Sequence, residues 1–123
     1  MPRLTAAPFR YGVHASTYLN AARAYTHLPI KQAVISASAL SLLYPAESIS
    51  GYSREEFLAD LTSEAESDIR GALDAGAASV QIDFTEARPS LKLDPSGGLL
   101  RSFIALNNEV LEYPYEQRML FRR

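Results

Sequence analysis

Apolar residues recur at helical spacing along one long stretch of this chain, and strand-like runs flank it on either side. From Phe57 onward, Leu58, Leu61, Ala65, Ile69, Ala72 and Leu73 return every three or four positions, while Glu55, Glu64, Glu66, Asp68, Arg70 and Asp74 fall largely between them. That spacing predicts an amphipathic helix with a solvated charged face. Ser53 stands three residues before Glu56, the interval of a capping box, in which the serine hydroxyl takes the Glu56 amide and the glutamate carboxylate returns to the Ser53 amide. Gly76 supplies the residue without a Cβ that a left-handed helix end prefers. Upstream, residues 30–38 follow Pro29 and read as a strand ending in small polar residues; downstream, residues 79–84 read as another. Strand, helix, strand is a βαβ unit, whose strands must be parallel and whose crossover should be right-handed.

The flanks extend the pattern. Residues 6–11, with Phe9 and Tyr11, read as a short first strand, its Pro8 tolerated at an edge or a strand start. Residues 16–27 carry Leu19, Ala22 and Tyr25 along one side of a helix that Pro29 stops. Residues 91–98 read as loop, dense in turn formers from Asp94 to Gly98. Leu99, Phe103, Leu106, Val110 and Leu111 outline a third helix ending before Pro114. The order β-α-β-α-β-α runs through residues 1–123 as one α/β domain, with no linker or internal repeat. Tyr11, Tyr18, Tyr25 and Tyr44 are expected to pack rather than to form a stacking platform.

Composition narrows the function classes. A net charge of -2 leaves no basic stripe to neutralise phosphates, so nucleic acid is not an expected partner. Arg118, Arg122 and Arg123 read as a solvated tail. The chain has no cysteine, which excludes disulfides and thiolate metal ligation within it. His14 and His27 are too isolated to suggest a metal site. With no secretory core and no apolar run long enough for a bilayer, a cytoplasmic protein without membrane contact is expected.

Candidate chemistry gathers where the apolar strand Val80-Gln81-Ile82 runs into Asp83, Glu86 and Arg88. Ligands of α/β folds sit beyond the carboxyl ends of parallel strands; acids there also serve as turn formers and helix caps. Asp83 suits an ammonium group, and Ser36 and Ser38 at the neighbouring strand end offer hydroxyls to a carboxylate, or simply let a loop pass. Glu86 and Arg88 are placed to pair with each other on the surface.

The runs 31–36 (Lys-Gln-Ala-Val-Ile-Ser), 51–57 (Gly-Tyr-Ser-Arg-Glu-Glu-Phe) and 80–86 (Val-Gln-Ile-Asp-Phe-Thr-Glu) resemble the catalytic barrel of cobalamin-independent methionine synthase-like proteins, a likeness that extends over residues 3–112. The resemblance implies a (β/α)₈ barrel that moves a methyl group from methyltetrahydrofolate to the thiol of homocysteine, with zinc holding the thiolate. It implies that Asp83 contacts the substrate amino group and that Glu86 lies where the family binds substrate; Ser36 and Ser38, from the strand-end reading above, complete the candidate substrate-binding set. Phe84-Thr85-Glu86 departs from the Glu-Pro that follows this aspartate in the main methionine synthases. The family's zinc ligands, a His-and-Cys motif, a glutamate and a final cysteine, come from later strands, so neither a catalytic residue nor a metal ligand is expected within this chain.

A complete barrel takes about 250 residues. Three βα units therefore predict a partial TIM barrel with a parallel sheet, its residues 113–123 a divergent tail. The expectation is a truncated piece, inactive in methyl transfer. The alternatives are a non-catalytic module that binds a small amino acid, and a half-barrel that covers its strand edges by self-association or with a complementary half.

Overall fold

A computed structural model describes the backbone of residues 2–121 and the side chains of residues 2–112. Among these residues five helices and two strands follow in the order α1 (Ala15–Ala22), β1 (Lys31–Ile35), α2 (Ala37–Ser41), α3 (Arg54–Asp74), β2 (Ser79–Asp83), α4 (Ala87–Leu93) and α5 (Gly98–Phe121). The strands are parallel, in register from Lys31 opposite Ser79 to Ile35 opposite Asp83. The βαβ unit is therefore present, inside a mixed α/β fold.

The long helix begins and ends as its local chemistry dictates. Ser53 Oγ accepts the Glu56 N–H at 3.0 Å and Glu56 Oε1 accepts the Ser53 N–H at 3.3 Å, closing the capping box. At the other end Gly76 has φ 97°, while the N–H groups of Gly76 and Ala77 reach the carbonyls of Leu73 and Ala72 at 2.9 and 3.0 Å, the paired bonds of a Schellman end. Ser53→Ala is expected to cost about 1 kcal/mol, read as a lowered urea midpoint; an unchanged midpoint would assign helix initiation to packing alone.

Phe57, fully buried, is the centre of the core. The rings of Phe9 and Tyr44 lie 5.4 Å from it and that of Tyr52 lies 6.5 Å away. Leu61, Ala65, Ala37 and Val110 complete this cluster. Tyr11 and Tyr44 pack against it, whereas Tyr18 and Tyr25 stand exposed, contrary to their reading as packing residues. Their helix α1 is short and buries only Ala15 and Leu19.

Residues 6–11 form no strand, which corrects the expected first βα unit. Proline has no N–H to give a ladder, and side chains take the neighbouring donors: the Phe9 N–H goes to Tyr52 Oη at 3.1 Å and the Tyr11 N–H to Glu64 Oε1 at 2.9 Å. The strand read over 30–38 stops at Ile35, because Ser36 turns the chain and caps α2 by accepting the Ala39 N–H. Part of the 91–98 loop is the end of α4, while the Asp94 turn survives: its carboxylate accepts the Ser96 and Leu99 N–H groups at the start of α5. Helix α5 continues past Pro114 to Phe121, giving up one backbone bond at the proline. The arginine-rich tail lies outside the described side chains.

Tyr52 couples the amino-terminal segment to α3. Its hydroxyl donates to Asp60, and Arg10 approaches the same carboxylate at 3.2 Å. The Tyr52 bond first, then Arg10, holds the Asp60 carboxyl below its ordinary value of 3.8. A depressed acid stabilises the fold above the unfolded pKa and loses that contribution as pH falls through the folded one. Below about pH 4, the wild type should lose stability more steeply than Asp60→Asn in urea titrations. Parallel acid limbs for the two proteins would remove Asp60 from the account.

Candidate functional site at the carboxyl ends of the strands

Alternation along the two strands sorts their residues onto two faces. Val34 is buried and Val80 and Ile82 partly so, on the side where α3 contacts both strands. Ala33, Ile35, Gln81 and Asp83 are exposed on the other side. The sheet is thus covered on one face and open on the other.

Asp83 ends β2 on the open face, laterally opposite Ile35. Its Oδ1 accepts the Gln81 side-chain amide at 2.7 Å, the two residues being neighbours on the same face of the strand. No ion pair to this carboxylate is formed among the described residues.

Ser36, Ser38 and Glu86 converge separately. Glu86 occupies the cap position of α4 without capping it. Instead its Oε1 accepts the Ser36 hydroxyl at 2.6 Å and the Ser38 hydroxyl as well, so one carboxylate oxygen ties the ends of β1 and β2 together. Both serines are fully buried. Each hydroxyl also accepts: Ser36 from the Ala39 N–H, Ser38 from the Asn107 amide at 2.9 Å. Asn107 Oδ1 in turn takes the Ser38 N–H at 3.4 Å. Glu86 Oε2 is buried with no partner, an arrangement that costs on the order of 1–3 kcal/mol unless a donor reaches it.

The expected four-residue set therefore divides into an available carboxylate, Asp83, and an interior network of Ser36, Ser38 and Glu86, in which Glu86 Oε2 alone lacks a partner among the described residues. The expected Glu86–Arg88 pair is absent among the described residues, because the serines hold the Glu86 carboxylate. Asn107 escaped sequence reasoning. Its signal was a polar residue in the apolar stripe of α5, between Phe103 and Val110 at intervals of four and three.

The residues present do not fit the zinc centre that the resemblance implies. The chain has no cysteine, and among the described residues no three histidine, aspartate or glutamate side chains gather as metal ligands would. Among those residues, too, no helix is long and apolar enough to cross a membrane. Comparison with protein-family models, with curated proteins and with solved structures finds no match.

Proposed function

We propose that this chain is part of a parallel α/β barrel of the cobalamin-independent methionine synthase-like kind, and that it binds a small amino acid such as homocysteine or methionine at the carboxyl ends of β1 and β2. The observation that carries the reading is the open face of the sheet with Asp83 at its carboxyl end, free of any cationic partner among the described residues. In a barrel that face is the interior, which further strands enclose. The two-stranded sheet leaves an unpaired edge on each strand, where strands of another copy or of a complementary piece would add.

In this reading Asp83 takes the ligand ammonium through a charge-assisted bond. Ser36, Ser38 and Glu86 position the β2–α4 turn that carries it, rather than touching the ligand with groups already committed to one another. With no cysteine in the chain and no metal-ligand cluster among the described residues, the proposed activity is binding, and methyl transfer is not assigned to this chain.

Calorimetric titration with homocysteine tests the proposal. Weak saturable binding is expected, with a dissociation constant on the order of 1 mM, unchanged by added zinc or by a chelator, and without methyl transfer from methyltetrahydrofolate. An absence of saturable heat, or zinc-dependent turnover, would overturn it.

A further inference from the structure

A concavity opens beside the strand-end network, along the outer edge of β1. It is a cleft of about 380 Å³ between residues 9–13 and β1, a size typical of small-ligand sites. Three successive residues, Ala33, Val34 and Ile35, line it. Successive side chains of a strand point to opposite faces, so it is the unpaired edge of β1 that faces the cleft. The other walls include Tyr11, Val13, Tyr18, Asp68 and Arg10, whose guanidinium is engaged by Asp60 at 3.2 Å and by the Phe9 carbonyl at 2.7 Å.

Two polar groups in this apolar setting lack what their burial requires. Asp68 is only 5% exposed, and the one hydrogen bond made to it among the described residues is the Ala15 N–H on Oδ1 at 2.7 Å. No cationic side chain pairs with it among the described residues. The Tyr11 hydroxyl is buried without a partner among the described residues. Burial, then the nearby charges of Asp68 and Glu64, raise its pKa above the ordinary tyrosine range, so it stays protonated and able to donate. Buried polar groups are normally paired. Two such groups lining one cleft point to a ligand that supplies a cation and an acceptor.

We propose that this cleft binds a small organic ammonium ion with an apolar body. Asp68 takes the ammonium, Val13 and Ile35 contact the apolar part, and the rings of Tyr11 and Tyr18 flank the cation, an attraction that such faces provide. The Tyr11 hydroxyl donates to an oxygen on the ligand where one is present. An anion is disfavoured by the same carboxylate. This site shares no residue with the strand-end network, and it belongs to the single chain, whose β1 edge carries no added strand among the described residues.

The test is a protein-observed NMR titration with 2-phenylethylammonium, compared with neutral 2-phenylethanol and anionic 3-phenylpropionate. The wild type should bind the ammonium saturably, about tenfold or more tightly than either comparator, with shifts centred on Val13, Tyr18 and Ile35. Asp68→Asn keeps an oxygen for the Ala15 N–H and should lose that preference. Tyr18→Ala removes an exposed ring and should weaken the ammonium several-fold with helix content unchanged, which decides the matter if the Asp68 variant does not fold. Asp83→Asn should bind the ammonium as the wild type does. Equal affinity for the three probes, no saturation, or undiminished binding in the Tyr18 and Asp68 variants would overturn the assignment.

Discussion

Phe57→Ala is expected to destabilise the protein by about 3–5 kcal/mol, the range for deleting a large aromatic from a packed core. The fully buried Phe57 ring lies edge-on to Phe9 and Tyr52 and stacks on Tyr44 at 28°. Its removal opens a void where the amino-terminal segment, the α2–α3 connection and α3 all meet, and also forfeits the aromatic pairings, worth about 0.5–1.5 kcal/mol each. A domain of this size has a total stability of roughly 5–15 kcal/mol, so the substitution takes a large share of it and a markedly lowered unfolding midpoint is expected. Guanidinium unfolding followed by circular dichroism measures the effect. A loss under about 1 kcal/mol would show that the stabilising core lies elsewhere.

The elements that were legible in the sequence are those whose causes are local. The capping box, the Gly76 end and the apolar stripe between them each fit within a few turns of α3, and their chemistry reads directly from residue spacing. The same holds for the Asp94 turn. What the sequence concealed depends on partners far along the chain. Residues 6–11 read as a short strand, yet the Phe9 and Tyr11 N–H groups are claimed by Tyr52 and Glu64, more than 40 residues away. Asp68 reads as a solvated charge, but its buried carboxylate accepts the first N–H of α1, 53 residues upstream. Ser36 and Ser38 look like the end of a strand because nothing within nine residues announces Glu86 and Asn107, which hold them at separations of 48 to 69.

The candidate site divides along the same line. That acids cluster where β2 ends was legible, because the apolar run stops at Asp83. That Asp83 and Glu86 have different surroundings was not. Strand alternation puts Asp83 on the open face. Glu86 lies beyond the strand, where no periodicity applies, and turns back to join the buried serines. Two acids three residues apart thus carry different expected roles, one available to a ligand and one committed to positioning the turn.

That difference makes Asp83→Asn the substitution with the largest expected effect on binding. Asparagine preserves the shape and the acceptor for the Gln81 amide, and so should leave the fold intact, while removing the charge that pairs with an ammonium. Glu86→Gln, by contrast, retains a carbonyl oxygen for the serines and should alter affinity only modestly. The most direct measurement is calorimetric titration of methionine into the wild type, Asp83→Asn and Glu86→Gln at one pH and salt concentration. Asp83→Asn is expected to lower affinity about tenfold or more, equivalent to about 1.4 kcal/mol, and Glu86→Gln to change it less. Equal heats and affinities for the wild type and Asp83→Asn would contradict it, leaving Asp83 as the end of a strand and nothing more.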